Sequence, residues 1–271
     1  MSDFLQGEKG KSDLLRTPVA GRETIVAPGA YDALTARIIE QAGFPAVYIT
    51  GFGATASLLG RPDVGLLTMS EMVENARRMV QTLDVPLIAD ADTGYGNPLN
   101  VIRTVQEYER AGVSAIHIED QITPKKCGHM ENKVGVSALE MMEKIHAAIE
   151  ARTSPDFLII ARTDARAAEG GKTPPVSLDR LRELGYRIVI FPIGALLAAT
   201  AAVRKLGSGN SGSRDADRSA LRDDLFHGVQ PDDRAFGDSA TGTSILFRDE
   251  LKSRADCSNI NHARRFAFPW F

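Results

Sequence analysis

Short apolar runs alternate with segments of helical spacing along most of this chain, and that alternation limits the folds open to it. Five runs follow one another in a regular rhythm, and a sixth comes after a break. The runs lie at residues 23–28, 46–50, 85–89, 115–118, 157–161 and 187–191. A glycine-rich loop, Gly51-Phe52-Gly53, is expected after the second run, and Ser70 is suited to cap the helix that follows it, over residues 71–82. Strands that alternate with helices predict a parallel sheet. The runs are short and apolar, as expected for strands whose two faces are both covered by helices.

Polar residues stand directly after successive strands of this pattern. They are Thr50, Asp90 and Asp92, Glu119 and Asp120, and Arg162 and Asp164. In a barrel these strand ends all meet at one face, where active sites form. A doubly wound sheet gathers ligands at one switch point. No G-x-G-x-x-G motif follows the first strand, and Gly51-Phe52-Gly53 lacks the third glycine. The pattern therefore favours an α/β barrel of the (β/α)8, or TIM, type.

Composition restricts partners and compartment more than it restricts the fold. The formal net charge of −3 gives no reason to expect nucleic acid or another polyanion as a partner. No apolar run approaches the roughly 20 residues that a membrane span requires. The two cysteines, Cys127 and Cys257, supply no disulfide framework and suit a reducing compartment. We expect an intracellular, cytoplasmic protein, with a mitochondrial location as the alternative.

Four carboxylates follow the second, third and fourth strands. Asp90 and Asp92 stand two residues apart, Glu119 ends the next strand, and Asp63 lies in the loop after the second strand. Oxygen ligands from several strand ends, without a Cys/His cluster, suit Mg²⁺ and also Mn²⁺. The alternative for each single acid is a helix cap or an ion pair, but four together favour a metal site. Arg162 suits bidentate recognition of a carboxylate, or an ion pair across the barrel mouth.

The loop after the fourth strand carries a thiol among cations. Its sequence is Lys125-Lys126-Cys127-Gly128-His129-Met130. Neighbouring lysines favour the thiolate, so we expect a lowered pKa for Cys127, which could then give or take a proton. His129 is suited to orient this thiol or to hold substrate. The alternative is a solvated basic loop with an incidental cysteine. His117, inside an apolar strand, predicts a hydrogen-bonded core histidine.

These segments resemble the isocitrate lyase/phosphoenolpyruvate mutase superfamily from about residue 14 to residue 170. The resemblance is carried by Tyr48-Ile49-Thr50-Gly51, Asp90-Ala91-Asp92-Thr93-Gly94-Tyr95-Gly96, His117-Ile118-Glu119-Asp120-Gln121, Lys125-Lys126-Cys127-Gly128-His129 and Ala161-Arg162-Thr163-Asp164-Ala165. The Lys-Lys-Cys-Gly-His motif is similar to that of the lyase branch, which includes methylisocitrate lyase, dimethylmalate lyase and oxaloacetate hydrolase. Carboxyvinyl-carboxyphosphonate phosphorylmutase is a related name for such chains.

The resemblance implies a (β/α)8 barrel that binds Mg²⁺ and a 2-oxo or 2-hydroxy dicarboxylate. It implies substrate contacts for Thr50, Gly51, Phe52, Gly128 and Arg162, and metal ligands, direct or through water, in Asp63, Asp90, Asp92 and Glu119. Lys125, Cys127, Gly128 and His129 would form a mobile gating loop, with Cys127 as proton donor. Members of the family form homo-oligomers through C-terminal helices that this chain does not recognisably possess.

The chain departs from the family after Gly170. Gly171-Lys172-Thr173-Pro174 resembles the segment after the family's seventh strand, yet here it follows the fifth-strand loop. One βα unit and most of the next strand are missing, so six strands stand where eight are expected. We expect an incomplete barrel domain over residues 1–206 and a disordered tail over 207–271, since that tail opens on a Gly/Ser-rich stretch and has weak apolar patterning.

The sequence thus predicts a Mg²⁺-dependent carbon–carbon bond lyase that acts on a di- or tricarboxylate through an enolate. Cleavage beside a carbonyl leaves negative charge that a metal stabilises, and a thiol can then protonate the carbon. The alternatives are an oxaloacetate hydrolase or decarboxylase, a phosphonate mutase, and an impaired remnant of the family that binds metal or family subunits without turnover.

Overall fold

The computed structural model describes residues 11–21, 23–126, 134–162, 178–183, 185–209 and 246–248. Helices and strands alternate as the sequence predicts. In chain order they are α1 (Ser12–Ala20), β1 (Ile25–Ala30), α2 (Ala33–Gln41), β2 (Val47–Ile49), α3 (Gly51–Leu59), α4 (Met69–Val80), β3 (Leu87–Asp90), α5 (Pro98–Arg110), β4 (Ala115–Glu119), α6 (Ala138–Ala151), β5 (Leu158–Arg162), α7 (Leu178–Glu183), β6 (Tyr186–Phe191), α8 (Gly194–Gly209) and β7 (Leu246–Arg248).

The strands form one sheet in the order β5-β4-β3-β2-β1-β6-β7. The first six are mutually parallel, and β7 is antiparallel to β6. Each consecutive strand from β1 to β5 lies beside its predecessor, and β6 returns to pair with β1, as the last strand of a barrel does. The prediction of an incomplete (β/α)8-type barrel with six parallel strands is confirmed. Among the described residues, β5 has no strand on its outer edge.

Alternate residues of each strand enter two separate hydrophobic clusters. The inner cluster, on the concave face, contains Tyr48, Ile88, Ala115, Ile160 and Ile188. The outer cluster contains the intervening residues, such as Val47, Leu87, Ala89 and Ile116, packed against residues of the helices. Because successive strand residues point to opposite faces, both faces of the sheet are buried from β1 to β4. Leu15 of α1 is fully buried in the inner cluster and covers its amino-terminal end.

The chain after β2 differs from its predicted conformation. Gly51-Phe52-Gly53 was expected to be a loop, but it forms the first turn of α3. The Thr50 hydroxyl caps this helix by accepting a hydrogen bond from the backbone N–H of Gly53 at 3.2 Å. Small residues are needed there because a Cβ on Gly51 would lie 2.6 Å from Oδ2 of Asp90. The glycines therefore mark close packing rather than a flexible connection.

The cap of α4 also differs from the prediction. Ser70 was expected to start this helix, but Thr68 does so. Thr68 and Glu71 form a capping box in which each side chain accepts a hydrogen bond from the other residue's backbone N–H. The Thr-x-x-Glu spacing of this box is visible in the sequence, and it leaves Ser70 inside the helix.

Two described elements reach into the segment that was expected to be a disordered tail. Helix α8 continues to Gly209, beyond the boundary at 206, and residues 246–248 form β7 on the outer edge of β6. The other residues of this segment lie outside the described part of the chain. Among the described helices, none has the length and apolar character that a bilayer span requires.

Candidate active site

The register of the sheet brings the polar strand ends together. Asp90 on β3 is directly paired with His117 on β4, and Glu119 on β4 is paired with Arg162 on β5. These side chains continue the inner face at its carboxyl end, above the inner cluster. Asp90, His117 and Glu119 are each less than a tenth exposed. The apolar inner face therefore ends in a buried layer of charge.

Asp90 is held by several groups at once. Its Oδ2 accepts a hydrogen bond from the backbone N–H of Gly51 at 3.1 Å, and its Oδ1 accepts one from the N–H of Asp92 at 2.9 Å. Nε2 of His117 lies 3.2 Å from Oδ1. Burial opposes ionisation, but the charges of His117 and Lys125 outweigh it and lower the pKa of Asp90 below its usual range. Asp90 is thus a fixed carboxylate.

Lys125 lies buried among the carboxylates. Its Nζ is 2.8 Å from Oδ2 of Asp63 and 2.9 Å from Oδ1 of Asp92. Its side chain is 4% exposed. Burial lowers the pKa of this ammonium, but the charges of Asp90, Asp92, Asp63 and Glu119 together raise it well above its usual value. The cation at the centre of the cluster therefore comes from the protein itself.

Glu119 and Arg162 form a second buried pair, with the Arg162 guanidinium 2.9 Å from Oε2 of Glu119. Burial raises the pKa of Glu119 to about 8 despite this arginine. The other oxygen, Oε1, is buried without a hydrogen-bond partner among the described residues. Burial likewise raises the pKa of Asp92 to about 6, with Lys125 opposing the rise. Burial therefore disfavours the charged form of both carboxyl groups, although each lies beside a cation.

The donors Asp63, Asp90, Asp92 and Glu119 fit a divalent cation in kind, because all are carboxylates, three are buried and the side chain of Asp92 is 15% exposed. Oε1 of Glu119 also lacks a hydrogen-bond partner among the described residues. These donors are not assembled around a single point. In the described part of the chain, no three His, Cys, Asp or Glu residues are grouped closely enough to hold a metal ion. The Lys125 ammonium instead lies between Asp63 and Asp92.

Some of the residues that were predicted to contact substrate are described by the structure, and others lie outside the described residues. Thr50, Gly51 and the half-buried Phe52 lie at the amino terminus of α3, beside Asp90. Such a helix end favours an anionic group. Arg162 lies at the same face, paired with Glu119. Cys127, Gly128 and His129 lie outside the described residues, immediately after Lys126.

Sequence reasoning missed or underrated three residues that contact this site. His117 forms the hydrogen bond expected of a core histidine, with Nδ1 at 3.1 Å from the Tyr48 hydroxyl, but its other nitrogen faces Asp90. Tyr48 was treated only as part of a strand. Lys144 of α6 is 4% exposed and reaches the backbone carbonyl of Thr93 at 3.4 Å. Alternation within the strands gives a signal for His117, which shares its face with Glu119.

The model of the phosphoenolpyruvate phosphomutase family matches residues 15–183, more than half of the chain. The chain belongs to the phosphoenolpyruvate mutase/isocitrate lyase superfamily. A 2,3-dimethylmalate lyase of Eubacterium barkeri is 44% identical over 237 positions, covering 70% of this chain and 82% of the relative. A 2-methylisocitrate lyase of Aeropyrum pernix is 39% identical and covers 90% of each chain. The predicted family resemblance is confirmed, and these relatives are lyases.

Solved structures of the superfamily share this fold. A 2,3-dimethylmalate lyase superposes with a TM-score of 0.72 at 33% identity, over 87% of this chain and 99% of the other. An oxaloacetate acetylhydrolase bound to 3,3-difluorooxalacetate gives 0.69 at 32% identity, over 85% and 98%. A phosphonopyruvate hydrolase bound to oxalate and Mg²⁺ gives 0.68 at 30% identity, over 80% and 95%.

The Eubacterium barkeri lyase contains residues that are missing from this chain. The alignment with the Eubacterium barkeri lyase runs over 237 positions, yet it takes in only 70% of the 271 residues of this chain. The aligned part of this chain is therefore shorter than the alignment, and the relative has residues that this chain lacks. This agrees with six parallel strands in place of eight.

Proposed function

We propose that this chain is a Mg²⁺-dependent carbon–carbon bond lyase that acts on a 2-hydroxy or 2-oxo di- or tricarboxylate through an enolate. The observation that carries the proposal is the buried carboxylate layer at the carboxyl ends of β3 and β4, which faces Lys125 and Arg162. Carboxylates of this kind are suited to a divalent cation, and the two protein cations beside them are suited to an anionic substrate.

Asp63, Asp90, Asp92 and Glu119 are the residues that would hold Mg²⁺ or Mn²⁺, directly or through water. The metal would supply positive charge beside the oxygen on which negative charge develops during cleavage. Asp90 is the strongest candidate for a direct ligand, because its neighbours keep it ionised. Glu119 offers an oxygen that has no hydrogen-bond partner among the described residues.

Two groups suit the carboxylates of the substrate. The amino terminus of α3, at Thr50, Gly51 and Phe52, presents backbone N–H groups and the positive end of a helix dipole. Arg162 presents a guanidinium on the other side of the same face, suited to bidentate binding. A dicarboxylate held at both ends would lie across Asp90 and Glu119.

The loop after β4 would complete the chemistry. Cleavage leaves the bonding electron pair on an enolate, and a proton must be delivered to its carbon. We assign this proton to the Cys127 thiol, with His129 and Lys125 placing the loop and the substrate. Lys125 supports this assignment, because it already extends from the same loop into the carboxylate layer.

Relatives with lyase names favour a dimethylmalate- or methylisocitrate-like substrate. The structural similarity to an oxaloacetate acetylhydrolase supports oxaloacetate hydrolysis as the second candidate. A third candidate is an impaired remnant that binds metal without turnover. It is supported by the outer edge of β5, which has no partner strand in the described part of the chain, because a complete barrel contributes strands there to the substrate pocket.

The deciding experiment is an assay of the purified chain with 2,3-dimethylmalate, 2-methylisocitrate and oxaloacetate. Each substrate is incubated with Mg²⁺, with Mn²⁺ and with a chelator, alongside the Asp90→Ala variant. The proposal expects metal-dependent cleavage of one substrate that the variant lacks. Metal binding without turnover of any substrate would favour the remnant, and cleavage that survives chelation would overturn the metal-dependent mechanism.

A further inference from the structure

The loop after β3 has an unusual backbone. Asp92 and Tyr95 have positive φ angles of 55° and 59°, and Gly94 and Gly96 have φ angles of 82° and 145°. For a residue with a side chain, this conformation is sterically disfavoured and persists only where the surroundings hold it. The same loop carries Asp92 and follows Asp90, so the position of two carboxylates depends on what holds it.

Three consecutive carbonyl groups of this loop accept hydrogen bonds from three different elements. The Asp92 carbonyl accepts from the backbone N–H of Glu119 on β4 at 2.8 Å. The Thr93 carbonyl accepts from Nζ of Lys144 on α6 at 3.4 Å, and the Gly94 carbonyl accepts from the Thr104 hydroxyl on α5 at 3.1 Å. We call these three bonds the carbonyl clamp.

Of the residues in the carbonyl clamp, Lys144 is the one whose burial is explained least by packing. Its ammonium is buried, and its ion-pair partner, Glu140, lies 3.5 Å away with a side chain that is 47% exposed. Burying an ammonium is costly unless it is well paired, and an apolar residue of similar volume would fill the same space at lower cost. Thr104, by contrast, can also donate to the Asn100 carbonyl of its own helix.

Thr93 connects the carbonyl clamp to the loop after β4. Its hydroxyl lies 3.2 Å from the hydroxyl of Thr123, two residues before Lys125. Fixing the Thr93 carbonyl therefore fixes Asp92 on one side, and it fixes the start of the loop that carries Lys125 on the other.

We propose that Lys144 is a positioning residue: through the Thr93 carbonyl it holds the Asp92–Gly96 loop in its left-handed conformation and so sets the carboxylates for metal and substrate. The metal-related part of this inference rests on the proposed function, whereas the holding of the loop does not. Among the described residues, Lys144 forms a hydrogen bond with the Thr93 carbonyl and an ion pair with Glu140, but neither with Asp90 nor with Asp92. It therefore acts on these carboxylates through the backbone.

The test compares four variants of the full chain. Lys144→Met keeps most of the side-chain volume and removes the donor, and Lys144→Arg keeps a cationic donor. Glu140→Gln weakens the ion pair without touching the carbonyl clamp. Ala148→Gly removes a fully buried methyl from the same helix and serves as a stability control.

The first readout is amide hydrogen exchange, which needs no metal. The reporters are the N–H groups of Asp92 and Gly94. The first donates a hydrogen bond to Oδ1 of Asp90, and the second donates one to the Ala91 carbonyl. Lys144→Met should speed their exchange roughly tenfold, the size expected for losing one hydrogen bond from a charged donor. Lys144→Arg should restore protection, and the amide of Ala42, the residue that caps the carboxyl end of α2, should not change. Unchanged exchange at Asp92 and Gly94 would overturn the proposal.

The second readout is calorimetric Mg²⁺ affinity, with KM and kcat where turnover is found. Lys144→Met should weaken Mg²⁺ binding by about tenfold, with rescue by arginine. Ala148→Gly should lower the unfolding midpoint without this loss of affinity. Equal loss of affinity in both variants would reduce Lys144 to a structural residue. If the wild type binds no divalent ion, the proposed function fails, and faster exchange in Lys144→Met still supports the carbonyl clamp.

Discussion

The middle of the sheet, formed by β3 and β4, is covered by other residues more completely than β5, which lies at one edge of the sheet. Every residue of β3 and β4 is buried, whereas Ile160 is the single buried residue of β5 and Ala161 is exposed. Helix α8 leaves Leu197, Val203 and Leu206 more than 40% exposed. Asp90 and Glu119 belong to the covered region, and Arg162 stands at its border. The carboxylate layer and the closure of the barrel are therefore separable properties.

The largest effect should come from restoring the missing unit. Inserting the corresponding βα unit and strand of a family lyase between Gly170 and Gly171 should raise both the unfolding temperature and the turnover. The added strands would pair with the open edge of β5 and cover its outer face. Thermal unfolding and dicarboxylate cleavage are compared for the two chains. If the 271-residue chain unfolds cooperatively at an ordinary mesophilic temperature and matches the turnover of the restored chain, then the missing strands cost neither stability nor activity.

A matched pair of alanines tests the contrast within one sheet. Ala89 on β3 and Ala161 on β5 both point to the outer face, but Ala89 is fully buried and Ala161 is exposed. Ala89→Asp should destabilise the chain by about 3–5 kcal/mol because it buries an unpaired charge. Ala161→Asp should stay within about 0.5 kcal/mol. Denaturant unfolding measures both, and equal losses would mean that β5 is covered in solution.

The carboxylate layer should bind metal even in the shortened chain. Asp90→Ala removes the carboxylate that is held by Gly51, Asp92 and His117, and Mg²⁺ affinity should fall about 100-fold. The control is Asp84→Ala, because that side chain is 90% exposed and should leave affinity unchanged. Calorimetric titration decides the matter, and equal affinity of wild type and Asp90→Ala would remove Asp90 from the metal site.

The smallest expected effect is a pH dependence of stability in metal-free protein. Glu119 has its pKa raised from 4.5 to about 8 on folding, so the unfolded chain loses this proton first as pH rises. Stability from this group is therefore present below about pH 4.5 and is lost as pH rises toward 8, by about 1–3 kcal/mol. Glu119→Gln should flatten this slope, whereas Glu143→Gln, an exposed change, should not. A slope that persists in Glu119→Gln would assign it to another group.

The strands were predictable because apolar runs bounded by turns and polar residues are local features. One error arose where distant contacts decide the local conformation. Gly51 and Gly53 were taken as a loop, but the closeness of Asp90 and Tyr31 requires glycine in the first turn of α3. The cap at Thr68, in contrast, was visible in the sequence as a spacing to Glu71 and was overlooked in favour of Ser70.

Residue types at the site were predictable, but their pairing was not. Acids at successive strand ends indicated a shared face, and the sheet register brings those ends together. That Lys125 would reach back to Asp63 depends on a contact between residues 62 positions apart, which no local pattern encodes. Lys144 was missed for a related reason. A lysine in an amphipathic helix is typical of a solvated face, and only the packing of α6 on the sheet buries it.

The pairing of β1 with β6 has a consequence for synthesis on the ribosome. Residues 25–28 find their partners at 188–191, whereas β2 to β5 each pair with the strand made just before them. An emerging chain can therefore add strands to one side of β1 as they appear, while the other side waits for most of the protein to be translated. Until β6 is made, β1 keeps one edge unpaired, so this first strand is open for the longest time to pairing with a wrong strand or with another chain.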